Sequence, residues 1–170
     1  MSAAILFALA LLALAACLCL RAAGRRQGTV VYADMDARQP GETLLSDRYG
    51  LVGRPDYILR TPDGLVPVEV KSRSSGARGP YPGEEAQLFA YCLLVEEVTG
   101  ERVRSGVIEF SDRMWPIAFG DRERREILGL LEEIRDTQGR AEVGRSHAQA
   151  GRCRGCGFRA SDVCGQALTR

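Results

Sequence analysis

The strongest pattern in the chain is a run of apolar residues from Ala3 to Leu20 that carries no charge and presents no polar face. Such a run is about the minimum that crosses a hydrocarbon core of roughly 30 Å as a helix. Arg21, Arg25 and Arg26 follow at once, whereas only the amino terminus precedes it. The asymmetry predicts a transmembrane signal anchor with its basic stop at 1–28, crossing the membrane once through residues 3–20 and leaving the rest cytoplasmic. The rival reading is processing. Leu14-Ala15-Ala16-Cys17 looks like a lipoprotein cleavage site, although the apolar run continues past Cys17 and no basic residue precedes it.

Beyond Gly28 the apolar period changes. Thr29 to Ala33 reads as a short strand, and Thr43 to Ser72 as strands broken by tight turns. Thr61-Pro62-Asp63-Gly64 is a turn signal, with proline fixing one dihedral and glycine free to turn left-handed, so a hairpin is predicted around it. Ser74 to Gly83 is a flexible Gly/Pro-rich loop. From Glu84 to Thr99, the residues Leu88, Tyr91, Cys92 and Val95 recur at helical spacing, and Gly100 is a helix stop. Val107 to Phe110 and Met114 to Phe119 are two more strands. Asp121 opens a second helix with Ile127, Leu128, Leu131 and Ile134 along one side. This order predicts an α/β fold, a central sheet flanked by helices, occupying 29–138. Residues 139–170 read as a linker and a small cysteine-bearing tail.

Composition narrows the picture little. A chain of 170 residues, 45% hydrophobic and 26% charged, fits one globular domain and excludes a disordered one. The formal net charge of +1 excludes a global field toward DNA, so any nucleic-acid contact must come from local basic clusters.

The hairpin carries the candidate chemistry. If Arg60 pairs with Leu65 across the turn, Asp56 falls opposite Glu69, on one face with Cβ atoms about 4.5–5.5 Å apart. Lys71, two residues on, shares that face, while Val66, Val68 and Val70 point into a core. A one-residue bulge would spoil this register. Two carboxylates so close repel unless neutralised, and a divalent cation with a taste for hard oxygen, Mg²⁺ or Mn²⁺, would do so. Such an ion could activate water against a phosphate. The bland alternative is an Asp/Glu/Lys ion-pair ladder on a solvated sheet.

The segments Gly53-Arg54-Pro55-Asp56, Glu69-Val70-Lys71 and Gln87-Leu88-Phe89-Ala90-Tyr91 resemble the PD-(D/E)XK nuclease superfamily in its RecB-like branch, notably the CRISPR-associated RecB-like exonucleases and the nuclease domains of related helicase-nucleases. In that family a G-x-x-D strand, an E-x-K strand and a helical Q-x-x-x-Y follow in this order, and here the likeness covers roughly Thr43 to Cys164. The resemblance implies a restriction-endonuclease-like mixed sheet. It makes Asp56, Glu69 and the Val70 carbonyl ligands of Mg²⁺ or Mn²⁺, Lys71 the catalytic lysine, and Gln87 and Tyr91 the lining of a DNA channel. The loop bearing Arg73, Arg78 and Tyr81 would meet the phosphate backbone, with a solvated basic loop as the alternative. Family members carry a further ligand upstream. No histidine precedes His147, and Glu42 and Asp47 are the acidic candidates.

Relatives also hold a [4Fe–4S] cluster with three carboxy-terminal cysteines and one distant amino-terminal cysteine. Cys153, Cys156 and Cys164 stand where the three would be, but the last gap is long. Cys17 and Cys19 lie in the apolar run, and Cys92 reads as a packed thiol. The tail is therefore open between an iron–sulfur cluster, a zinc site that His147 could complete, and free thiols. The function implied is a membrane-tethered, metal-dependent deoxyribonuclease, exonuclease-like, acting on single-stranded DNA or DNA ends. The alternatives are a degenerate nuclease fold that binds DNA or a partner without cutting, and a structural module organised by the cysteine tail.

Overall fold

A computed structural model of the protein describes residues 28–33, 42–159 and 164–168. Its elements are β1 (Thr29–Ala33), β2 (Leu44–Ser46), β3 (Leu51–Gly53), β4 (Tyr57–Thr61), β5 (Gly64–Lys71), α1 (Pro82–Thr99), β6 (Ser105–Phe110), β7 (Met114–Ala118), α2 (Asp121–Gln138) and α3 (Ala150–Arg154). Five strands form one sheet in the order β1-β4-β5-β6-β7, and β2 pairs with β3 separately. Only β5 and β6 run parallel; the other neighbours are antiparallel. The expected mixed α/β architecture with a central sheet is therefore present.

The hairpin register follows from its turn. Gly64 has φ of 117°, a conformation that a side chain would resist. The Thr61 hydroxyl accepts the Asp63 N–H at 3.2 Å and donates to the Gly64 carbonyl at 2.9 Å. Arg60 then pairs with Leu65 and Tyr57 with Val68, as the sequence predicts. Tyr57, Leu59 and Val68 form an apolar cluster on one sheet face with Val66, Val70 and Val107. The other face carries Leu88, Ile108 and Phe110. Pro67 lies within a central strand, yet the parallel ladder to β6 begins only at Val68, beyond the residue that lacks an N–H.

Helix α1 begins at Pro82, two residues before the expected Glu84. Proline is preorganised for a first helical turn, and Glu84 and Glu85 complement the helix dipole there. It ends at Gly100 as expected, with φ of 70° and an N–H donated to the Glu96 carbonyl at 2.8 Å. Its buried residues, Leu88, Phe89, Cys92, Leu93, Leu94 and Val95, are more than one stripe. The helix packs on β5 and β6 and also against the β2–β3 hairpin, so two of its sides need apolar cover. Close approach to the sheet depends on Gly106, where a Cβ would stand 2.7 Å from the Leu88 side chain.

Two compact units divide between Leu128 and Gly129, ten residues before the boundary at 138 and 139 expected from composition. In α2, Ile127 and Leu131 are buried, but Ile134 is 44% exposed, so the expected stripe fades toward the end of the helix.

The expected transmembrane helix needs correction. No helix among the described residues is long and apolar enough to cross a membrane. Acidic and basic residues punctuate both long helices, Glu84, Glu85, Glu96 and Glu97 on α1 and most of the solvent face of α2. The single-pass localisation, the cytoplasmic placement and the membrane contact that rested on the anchor are withdrawn with it. Residues 3–20, from which they were read, lie outside the described residues.

Candidate active site

The hairpin ladder stops at Tyr57 and Val68, one pair short of Asp56 and Glu69. Pro55, fully buried, holds the chain entering β4, and Asp56 follows in an irregular position. With no strand carbonyl opposite, the Val70 N–H donates instead to Asp56 Oδ2 at 2.6 Å. In extended backbone the N–H and C=O of one residue face the same neighbour, so the Val70 carbonyl also faces the gap where β4 ends. Glu69 is 7% exposed and pairs in the parallel ladder with Ile108, which is fully buried.

Lys71 Nζ donates to Glu69 Oε1 at 2.7 Å and to Gln87 Oε1 at 3.0 Å. Gln87 Nε2 in turn donates to the Tyr91 hydroxyl at 3.0 Å. Glu69, Lys71, Gln87 and Tyr91 thus form one hydrogen-bonded row from sheet to helix. The four-residue spacing of Gln87 and Tyr91 places both on the side of α1 that meets Lys71. Tyr91 keeps its place because β3 ends in glycine: a Cβ at Gly53 would stand 2.9 Å from the Tyr91 ring. Burial pushes the Tyr91 hydroxyl pKa up, and the Glu69 and Asp56 charges add to this.

Burial likewise pushes the Glu69 carboxyl above its usual range, and the charge of Asp56 reinforces it, while the Lys71 hydrogen bond opposes both. A carboxyl raised in the fold favours folding most below its unfolded pKa, and that contribution is lost as pH rises through the folded value. In metal-free protein the Glu69 contribution should therefore be lost as pH rises through that raised value. Glu69→Gln removes the charge and keeps the shape, so its melting temperature in chelator should exceed that of the wild type by a few degrees at neutral pH, with no advantage in acid. Thermal denaturation across pH checks this, and a variant less stable at neutral pH would refute it.

The segment expected to be a flexible basic loop, Ser74 to Gly83, is tied down. Arg73 donates to Glu84 at 3.2 and 2.6 Å and to the Ser74 carbonyl at 2.9 Å. Its guanidinium lies over the Tyr81 ring at 4.3 Å and the Phe110 ring at 4.7 Å. The Ser75 N–H and hydroxyl both donate to Asp112, at 2.8 and 3.0 Å, and these bonds, led by the N–H, hold that carboxyl down to about 2. Gly79, with φ of 72°, accommodates the Trp115 ring, which a Cβ would meet at 2.6 Å. Arg73 is thus engaged inside the protein, whereas Arg78 is exposed.

The donor set at the hairpin suits a hard cation. Asp56 Oδ2 is held by the Val70 N–H and Glu69 Oε1 by Lys71, and the Val70 carbonyl faces the same gap. Among the described residues, no third His, Cys, Asp or Glu joins these two carboxylates. Glu42 and Asp47 are exposed, the Glu42 carbonyl accepting the Tyr32 hydroxyl at 2.6 Å.

In the second unit, Cys153 is buried, Cys156 exposed and Cys164 half-buried, all as free thiols. With His147 they line one cavity of about 640 Å³, but they do not gather into a group that could hold an ion among the described residues. Cys92 is fully buried in α1, where burial pushes its thiol pKa well up, so it is a packing residue.

Two contributors escaped the sequence reading. Glu84 was visible as an acid just after Tyr81-Pro82, a first-turn signature, but its partner Arg73 was assigned to DNA. Gly53 was visible as a letter of the G-x-x-D segment, yet its job is steric and appears only once Tyr91 is placed against it.

The sequence pattern of the PD-(D/E)XK nuclease superfamily matches residues 16–165. No curated protein matches the chain. Nine chains of solved structures do, among them one titled "Crystal structure of SSO0001". It is 22% identical, the alignment covering 98% of this chain and 72% of that one, with a TM-score of 0.47.

Proposed function

The chain belongs to the PD-(D/E)XK nuclease superfamily, and from that premise we propose that it is a metal-dependent deoxyribonuclease. Its finer placement, in the RecB-like branch with exonuclease-like action on single strands or ends, is part of the same proposal. The observation that carries it is the row Glu69–Lys71–Gln87–Tyr91 beside Asp56. A solvated ion-pair ladder does not call for a carboxylate 7% exposed, a lysine shared between two elements and a glycine cleared for a tyrosine ring.

In this reading Asp56, Glu69 and the Val70 carbonyl hold Mg²⁺ or Mn²⁺. The ion would supply Lewis-acid stabilisation of phosphate charge and make water a better nucleophile. Asp56 is oriented by the Val70 N–H, which fixes one of its oxygens and leaves the other for the ion. Lys71 places an ammonium donor where negative charge develops, and Gln87 fixes its direction. Tyr91 closes the row and lines the path of the strand. Arg73 acts from behind, holding the loop that carries Arg78 toward the phosphate backbone. The nuclease-like domain is proposed to span 29–138. The cysteine tail, Cys153, Cys156 and Cys164, is proposed to hold an iron–sulfur cluster or zinc, with free thiols as the alternative.

The test is hydrolysis of labelled single-stranded DNA by purified protein with Mn²⁺. Cleavage should exceed that in chelator and fall to background in Glu69→Ala. Equal rates for wild type and variant would overturn the proposal. One observation favours the non-cutting alternative: among the described residues, the two carboxylates have no third acidic or histidine companion. DNA binding by the wild type with no metal-dependent product would decide for that alternative.

A further inference from the structure

Tyr81 stands out among the exposed apolar side chains because its backbone is held on every side while its ring is 58% exposed. Its N–H donates to Glu84 Oε2 at 2.8 Å. Its carbonyl accepts the N–H groups of Glu84 and Glu85 at 2.9 and 3.1 Å. Pro82 follows and fixes the next dihedral. The Arg73 guanidinium lies against the ring at 4.3 Å and is itself ion-paired to Glu84 at 2.6 Å and seated on Phe110. An ordinary surface tyrosine has no such foundation.

The ring is also in the right place. Tyr81 caps the helix that carries Gln87 and Tyr91, and the six residues to Gln87 span about 9 Å along the axis. Lys71 is close enough for its charge to act on Glu84, the residue that holds both Tyr81 and Arg73. The platform and the proposed reaction centre therefore share one helix end.

We infer that Tyr81 is a base-stacking platform for single-stranded nucleic acid entering the site. This inference rests on the nuclease reading and adds the residue that would favour unpaired strands. A base presents a π-face to an aromatic ring regardless of its identity, so the contact is sequence-tolerant. Inside a duplex those faces are covered by neighbouring bases, and a fixed ring cannot reach them without unstacking. The arginine behind the ring is matched by Glu84, so it braces the ring and leaves the contact itself to stacking. The site thus selects for unpaired strands by stacking.

The experiment is fluorescence anisotropy of the full chain with a labelled oligothymidylate and with a blunt duplex, using Ca²⁺ so that binding is read apart from turnover. Tyr81→Ala should weaken single-strand binding by about tenfold and leave duplex binding as it was. Tyr81→Phe should bind as the wild type does. Tyr81→Leu keeps the apolar cover over Arg73 without a π-face, so it should fold normally and bind like the alanine variant. Unchanged single-strand affinity in Tyr81→Ala, or equal losses on both substrates, would overturn the platform. Metal-dependent cleavage by the wild type alongside either result would leave the nuclease reading standing. Failure of the wild type to bind or cut either substrate would remove both.

Discussion

Replacing Lys71 by alanine should lower metal-dependent cleavage by about 10²–10³-fold, a deficit that saturating Mn²⁺ does not repair. Its ammonium group donates to Glu69 at 2.7 Å and Gln87 at 3.0 Å, so the surroundings fix its direction before substrate arrives. A donor already in place costs no reorganisation when charge develops on the phosphate, and it acts where little water competes. Lys71→Arg should not rescue the reaction, because a planar fork cannot make the same two contacts from the same point. Asp56→Asn should behave differently. That substitution weakens a proposed metal ligand, so part of its deficit should disappear as Mn²⁺ is raised. Single-turnover rates across a metal titration separate the two. A Lys71→Ala rate close to that of the wild type at saturating metal would remove lysine from the chemistry.

The site was legible wherever the sequence dictates local geometry. Thr61 to Gly64 allows few turns, and once Arg60 faces Leu65 the period of two puts Asp56, Glu69 and Lys71 on one side. Even so, Asp56 is not a strand residue. Its carboxylate replaces a missing ladder partner for the Val70 N–H, which periodicity alone could not reveal. The stop at Gly100 was legible because a left-handed terminus favours glycine, whereas the start was misread by two residues because the apolar period begins after the first turn. Long-range pairs stayed hidden. Nothing near Arg73 in the chain says that it will lie between Tyr81 and Phe110, and an arginine in a Gly/Pro-rich stretch reads naturally as a free charge. The apolar run at 3–20 shows the opposite hazard. Its length and the arginines that follow it supported a membrane anchor, and no described helix is long and apolar enough to cross a membrane.

Arg124→Ala should destabilise the protein by about 3 kcal/mol, the low end for breaking a buried ion pair, since both partners keep some solvent contact. The guanidinium donates to both Glu96 oxygens at 2.6 and 2.8 Å, and the side chains of Arg124 and Glu96 are 20% and 17% exposed. Glu96 Oε1 also accepts the Val103 N–H at 2.9 Å, tying α1 to the approach to β6. The flat of the guanidinium covers the Phe119 ring at 4.7 Å, and Phe119 stacks on Phe89 of α1 at 5.9 Å. Without Arg124, Glu96 keeps its charge with a single backbone donor and Phe119 loses its cover, which together account for the expected size. Replacing both partners, as in Glu96→Gln with Arg124→Leu, should recover part of the loss because no charge is then left unmatched. Denaturant unfolding of Glu96→Gln, Arg124→Leu and the double variant measures the coupling directly. Additive losses would mean that the pair does not brace α1. A coupled loss would mean that the helix presenting Gln87 and Tyr91 to Lys71 is held from its far end, so that activity and stability fall together when this brace is cut.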